Sequence, residues 1–392
     1  MIALRRVPGC TGTSRRTLLG ALVSAAFLVA APIAGIAQAP AAAPTIPTQL
    51  SNEEFWKFIT DVSEQSGYFR SDNFLSNELG FQTVIPRLLQ TVRTGDIYLG
   101  VGPEQNFTYI AALEPKMAVI FDIRRGNVHA HLLYKALFEM SANRAEFVSL
   151  LFSYPRPARI DTTLSADSIF NAIWWLGPDS AAYRRNLAAI RDHLTRRRAL
   201  PLSADDLAGV EYVYYAYYWC GPSITYNCTP YGGSGRGGGN QVSYADLMVA
   251  NDARGVQRSF LATEAMFRSI KAMHDKNLIV PVVGNFSGPK AIRAVGTYLK
   301  ERGATVGAIY TSNVEQYLFQ QGDDWRRYYD NVSTLPIDST TTFIRSVGGN
   351  FGGGGGGGFG RLPSVLSSVQ GLLAAYREGR VVSYYDVISM SR

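Results

Sequence analysis

Cysteine and histidine are scarce in this chain, three and four residues respectively among 392. So few thiols exclude a scaffold built from disulfides. Cys10 lies in the N-terminal segment, which leaves Cys220 and Cys228 as the remaining pair, in a Gly/Pro/Asn-rich stretch. The spacing admits either a disulfide or two free thiols, and a closed loop this short adds about 2–3 kcal/mol at most. Four histidines give no zinc-site pattern, and His129-x-His131 points to different faces of a helix, so no metal is expected. A basic surface is missing as well. The formal charge is +7, and Arg5, Arg6, Arg15 and Arg16 supply four of those positives. No dense Lys/Arg patch interleaved with aromatics occurs, so nucleic acid is not an expected partner. Arg196-Arg197-Arg198 is one short basic run, predicted to form the solvated end of an amphipathic helix.

Acids are absent from residues 1–41, where the four arginines precede an apolar run from Leu18 to Ile36 broken by Pro32. Ala37-Gln38-Ala39 and Ala39-Pro40-Ala41 follow as small-residue cleavage sites. A basic region, an apolar core and an A-x-A end describe a secretory signal. Ser14-Arg15-Arg16-Thr17-Leu18-Leu19 is similar to the twin-arginine type, and Pro40 favours cleavage after Ala41. The alternative is an uncleaved membrane anchor, since the apolar run approaches the ~20 residues of a span. The expected location is periplasmic or otherwise extracytoplasmic in a bacterium.

Residues 42–50 read as a Pro/Ala linker, 51–347 as an α/β domain, and 348–392 as a glycine-rich loop with a C-terminal helix. A helix begins after Ser51, where Glu54 completes a capping box and Phe55, Phe58, Ile59 and Val62 share a face. Phe81–Val92 reads as a second helix. Strands are predicted at 97–101, 118–121, 278–284, 305–310 and 340–347, with helices between them at 107–113, 127–140, 259–276 and 289–302. A helical insertion occupies about 143–207. The run Gly209-Val-Glu-Tyr-Val-Tyr-Tyr-Ala-Tyr-Tyr218 reads as a strand from its β-branched and aromatic content. Gly352–Gly358 is a glycine homopolymer, and Leu362–Tyr376 reads as a closing helix. Strands alternating with helices predict a Rossmann-like sheet covered on both faces.

In such a sheet ligands lie beyond the carboxyl ends of the strands. Gly100-Val-Gly102-Pro103-Glu104-Gln105-Asn106 stands at the first of these ends and Asp122 at the second. Glycines let backbone approach a ligand, a helix N-terminus offers free N–H groups, and an acid about 20 residues on accepts hydrogen bonds from a ribose. Gln105 replaces the third glycine of G-x-G-x-x-G, and Glu104 would repel a pyrophosphate; both count against NAD or FAD. Glu104 and Gln105 can cap the helix, Arg124 and Arg125 read as a solvated helix start or else an anion grip, and Asn285 and Asn313 can be turn residues. Tyr218, Asn285 and Glu315 are the catalytic candidates, Glu315 as a general base or else a cap.

The Gly100–Asn106 segment with Phe121-Asp122-Ile-Arg124-Arg125-x-Asn127 resembles the cofactor motifs of class I S-adenosylmethionine-dependent methyltransferases. It resembles more closely an uncharacterised exported bacterial family with that fold, through Asn277-Leu-Ile-Val-Pro-Val-Val-Gly-Asn285-Phe and Ser312-Asn313-Val-Glu315-Gln-Tyr317 as well. The resemblance covers about residues 50–347. It implies a seven-strand methyltransferase-type sheet, S-adenosylmethionine over Gly100, Gly102, Glu104 and Asn106, and Asp122 on the ribose. It also implies substrate-facing residues near Tyr218–Pro222, although no Asn-Pro-Pro-Tyr-type motif occurs there. Two functions follow. One is an S-adenosylmethionine-binding methyltransferase of unknown acceptor. The other is a non-catalytic extracytoplasmic binding or structural module on a degenerate methyltransferase fold, with a small molecule or an envelope protein as partner. A nicotinamide-dependent oxidoreductase is disfavoured by Glu104 and the missing glycine.

Overall fold

A computed structural model describes residues 45–156, 162–226, 228, 241–347 and 363–391. The signal segment 1–41, the first residues of the linker and the glycine homopolymer at 352–358 lie outside the described residues. Helix α1 (Asn52–Val62) starts on the expected capping box of Ser51 and Glu54 and buries Phe55, Phe58, Ile59 and Val62. A 3-10 turn (Phe81–Val84) leads into α2 (Ile85–Thr91), with Pro86 in the first turn where its missing N–H costs nothing. The core then alternates: β1 (Ile97–Val101), α3 (Gln105–Leu113), β2 (Ala118–Asp122) and α4 (Arg125–Met140). All residues of β1 and β2 are buried, as continuous apolar strands of a parallel sheet must be.

A long helical excursion follows: α5 (Arg144–Phe152), α6 (Ala166–Trp174), α7 (Ser180–Asp192), a π-turn (His193–Arg197), α8 (Ala204–Cys220), α9 (Tyr244–Val249) and α10 (Glu264–Asp275). The insertion expected at 143–207 therefore continues to the start of the next strand. The expected strand at 209–218 is part of α8. A capping box of Ser203 and Asp206 starts that helix, and the buried positions Val210, Val213, Tyr214 and Tyr217 recur at helical spacing. Packing of those side chains against α4 and α5 overrides the β-propensity of the tyrosines. A Cys220–Cys228 disulfide closes the end of α8.

The sheet resumes with β3 (Ile279–Val283), α11 (Ala291–Glu301), β4 (Val306–Ser312), α12 (Val314–Leu318), α13 (Asp324–Val332) and β5 (Ile337–Ser346). The predicted closing helix at 362–376 is instead a strand, β6 (Ser364–Ser368), followed by α14 (Val369–Arg377) and α15 (Tyr384–Ser389). Strand β6 pairs antiparallel with β5, covering an edge that would otherwise present unpaired backbone groups. The sheet order is β3-β2-β1-β4-β5-β6, with β1 to β5 parallel. It is a Rossmann-like α/β sheet of six strands among the described residues, not the seven expected. Connections run β1 to β2 to β3 in one direction and then turn back to β4 and β5. Right-handed crossovers therefore place α3 and α4 on one face and α11 on the other. The reversal between β1 and β4 marks the crevice where such sheets bind ligands. Among the described residues no helix is long and apolar enough to cross a membrane.

Candidate functional site

The glycine turn after β1 is built around the chain's own side chains. A Cβ on Gly100 would fall 1.9 Å from Asn106 Oδ1. Asn106, fully buried, accepts from the Tyr98 hydroxyl (2.9 Å) and donates Nδ2–H to the carbonyls of Val101, Gly102 and Pro103 (2.9, 3.2 and 2.7 Å). Gly102 has φ +75°, a left-handed conformation that glycine adopts at no steric cost. Both glycines and Asn106 thus serve the turn itself. Glu104, expected to cap α3, makes no cap bond.

The crest of the sheet is covered by residues 63–80, a strap that crosses the strand ends in order. At β3 the Glu64 N–H donates to the Val283 carbonyl (2.9 Å). Its carboxylate accepts from the N–H groups of Asn285, Lys290 and Ala291 (2.9, 2.8 and 2.9 Å), filling the N-terminus of α11. At β2 the Gly67 N–H donates to the Ile123 carbonyl (2.7 Å), and Ser66 Oγ accepts from the Arg125 N–H (3.0 Å). At β1 the Ser76 N–H donates to Glu104 Oε1 (3.2 Å). At β4 Glu78 accepts from the Tyr310 hydroxyl (2.9 Å) and from the Ser312 hydroxyl. Helix α8 holds the strap from outside: Tyr217 donates to the Phe74 carbonyl (2.6 Å) and Tyr212 to Asp72 Oδ2 (2.9 Å).

Asp122 stands at the end of β2 as expected, but both its oxygens are engaged. Arg124 donates to Oδ1 through its backbone N–H (2.8 Å) and Nε (3.0 Å), and to Oδ2 through Nη2 (2.9 Å). The same guanidinium donates Nη1–H to the carbonyls of Ser71 and Asp72 in the strap. Arg124 is therefore a tie between strand end and strap, where the sequence offered an anion grip. Arg125 likewise pairs with Asp206 at the start of α8 (2.9 Å).

Buried groups around the turn are electrostatically unusual. Glu104 is sealed from solvent and its Oε2 has no protein partner. Burial pushes its carboxyl up to about 8; hydrogen bonds from backbone N–H groups pull the other way, and the nearby Glu78 carboxyl adds to the rise. Burial also raises Glu78, against the hydroxyls bonded to it. His131 donates Nε2–H to the Gly102 carbonyl (2.9 Å), and burial pulls it down to about 4, so it is neutral. Its Nδ1, Gln105 Oε1 and the Asn127 amide likewise have no protein partner.

The catalytic candidates are not brought together. Tyr218 is on α8, stacked on Tyr183 with ring centroids 4.5 Å apart. Asn285 Oδ1 accepts from the Ser287 N–H (3.1 Å), the turn role that the sequence also allowed. Glu315 is neither a base facing the crevice nor a cap. It is buried in an ion pair with Arg345 on β5, and Tyr329 donates to it (2.7 Å). Arg345 was missed by sequence reasoning, although a charged residue after Phe343-Ile344 in an apolar strand is a signal for a buried partner. The strap was missed too, because residues 63–80 have no periodicity to read.

The residues proposed for S-adenosylmethionine do not fit it as they stand. Both Asp122 oxygens are already bonded to Arg124, Asn106 fills the space over Gly100, and Glu104 is under the strap. A cavity near these strand ends, lined by Leu99, Gly100, Phe121, Phe286, Tyr310 and Tyr328 among others, is apolar and about 10 Å³, room for one water molecule.

Comparison with curated proteins found no match. The chain matches the family described as a domain of unknown function (DUF7790) over residues 73–163 and 242–355. The two matched stretches hold β1 to β5, residues 73–80 of the strap, Glu104, Asp122 and Glu315. They leave out α7 and α8. Together they span just over half of the chain, which therefore belongs to this family of unknown function.

Proposed function

We propose that this chain is a non-catalytic extracytoplasmic module: a methyltransferase-type sheet whose cofactor crest has been given over to holding its own strap, with binding of a small molecule or an envelope protein as its role. The observation that carries this reading is that both Asp122 oxygens are bonded to Arg124, which is itself bonded to the strap. A charge-assisted pair of this kind in a buried setting is among the strongest hydrogen-bonded contacts a protein makes. A ribose hydroxyl would have to compete with it for the same carboxylate. The disulfide between Cys220 and Cys228 supports an oxidising compartment, in keeping with the twin-arginine-like signal.

Calorimetric titration of the purified mature chain with S-adenosylhomocysteine tests the reading. The expected result is no binding, in wild type and in Asp122→Ala alike. Micromolar binding, about −8 kcal/mol, that disappears in Asp122→Ala would overturn it and restore a cofactor site on Gly100, Gly102, Glu104, Asn106 and Asp122.

A further inference from the structure

The two limbs of the strap are fastened by different chemistry. The outer limb, residues 63–72, is held by a carboxylate on a helix N-terminus, by backbone hydrogen bonds and by a guanidinium. These are the Glu64 carboxylate on three backbone N–H groups, the Gly67 N–H on the Ile123 carbonyl, and the Arg124 guanidinium on the Ser71 and Asp72 carbonyls. The inner limb, residues 74–80, is held at the sheet by two carboxyl groups, Glu104 under Ser76 and Glu78 under Tyr310 and Ser312. Both are almost completely buried, and neither forms an ion pair among the described residues.

We propose that the inner limb is a pH-operated latch: ionisation of Glu104 and Glu78 detaches residues 74–80 from the ends of β1 and β4, while the outer limb stays fastened.

The surroundings of the pair carry the argument. Glu104 faces Glu78 from the strap, Tyr134 from α4, Tyr217 from α8 and Tyr244 from α9. Glu78 faces Tyr98 from β1, Tyr109 from α3, Tyr310 from β4 and Tyr384 from α15. Every one of these is an acid or a neutral hydroxyl. His131, the nearest imidazole to the turn, is held neutral by burial and donates its proton to Gly102, so it offers no positive charge. A second carboxylate placed beside a first in such a setting is repelled by it as well as poorly solvated. Detaching the limb admits water to both. What is given up is one backbone N–H to Glu104, two hydroxyls to Glu78, the Phe74 N–H to the Tyr226 carbonyl, the Tyr217 hydroxyl to the Phe74 carbonyl, and the burial of Phe74 and Leu75. Burial pushes the Glu104 carboxyl up to about 8, so the latch is tightest in acid and loosens as pH climbs towards 8. This inference holds whether or not the crest ever takes a cofactor.

Hydrogen-exchange mass spectrometry of the full mature chain from pH 5 to 9, corrected for the intrinsic pH dependence of exchange, is the test. In wild type, peptides covering 74–80 should lose protection by about tenfold per pH unit as pH rises from 5 towards 8, and the loss should level off above that. Peptides covering β2 should keep theirs. Glu104→Gln should flatten the profile of 74–80. Should that variant fail to fold, Glu78→Gln should make the loss of protection smaller and level off at lower pH, since the Glu78 carboxyl helps to raise Glu104. Protection of 74–80 that does not change with pH, or that falls only together with that of β2, would overturn the proposal.

Discussion

Glu315, just after β4, and Glu104, just after β1, are both sealed from water, and they differ in what faces them. Glu315 meets the Arg345 guanidinium and the Tyr329 hydroxyl, so its charge is compensated within the core. Glu104 meets one backbone N–H, another carboxyl and three tyrosines, so no positive group balances it. The β4–β5 end of the sheet is thus fastened by a permanent ion pair, and the β1 end by a carboxyl that must stay protonated. Asp122 at the end of β2 lies between these cases: it has a cation, but that cation also holds the strap. The crest is therefore rigidly built on one side and conditionally built on the other.

The largest expected effect breaks the compensated side. Arg345→Met leaves Glu315 buried without a cation and should cost about 3–5 kcal/mol in urea denaturation. The double variant Arg345→Met with Glu315→Leu should recover most of that loss, because an apolar pair of similar volume needs no compensation. Failure of the double variant to recover would mean that the pair has a role beyond mutual neutralisation.

Next is Glu104→Gln, read as stability against pH. The folded-state titration of Glu104 near 8 lies above the ordinary carboxyl value of 4.5. The folded state therefore binds the proton more tightly than the unfolded chain does. Stability from this group is fully present below about pH 4.5 and is lost as pH climbs to about 8. Glu104→Gln should match wild type near pH 4.5 and exceed it increasingly up to pH 8, by as much as a few kcal/mol. A pH-independent difference would contradict the burial of a neutral carboxyl.

Asp122→Asn weakens the intermediate case. It should cost about 1.5–3 kcal/mol, the range for hydrogen bonds to charged groups, and should loosen residues 71–72 in hydrogen exchange. The last is Tyr217→Phe, which takes a donor from the Phe74 carbonyl and the partner of the buried Tyr134 hydroxyl, and should cost about 1–2 kcal/mol in thermal or urea unfolding.

The parallel sheet was legible because its strands are short apolar runs bounded by turn residues, and the five parallel strands fall where the periodicity puts them. Helix α1 was legible from its capping box. Helix α8 was misread because the local content of tyrosine and valine favours a strand, and only the spacing of Val210, Val213, Tyr214 and Tyr217 shows the helix. Strand β6 was misread because its partner lies across a glycine-rich stretch that gives no register. At the site, the positions of Gly100, Gly102 and Asp122 at the strand ends were legible, but their roles were not. Whether a glycine makes room for a ligand or for Asn106, and whether Asp122 is free or held by Arg124, depends on contacts between neighbours that a pattern of residue types leaves open. The strap left no trace because its bonds run through backbone groups and isolated polar side chains scattered over an aperiodic segment.

The central claim is that the crest is occupied by the chain's own strap. The most direct measurement is residue-resolved hydrogen exchange of residues 63–80 in the mature chain at pH 5, near the acid end of the Glu104 window. The account predicts that the amides of Glu64, Gly67, Phe74 and Ser76 are protected to an extent approaching that of β2, since each donates to the sheet, the crest or a neighbouring loop. Exchange of these amides at the rate of an unstructured peptide, with β2 still protected, would contradict it and leave the crest open.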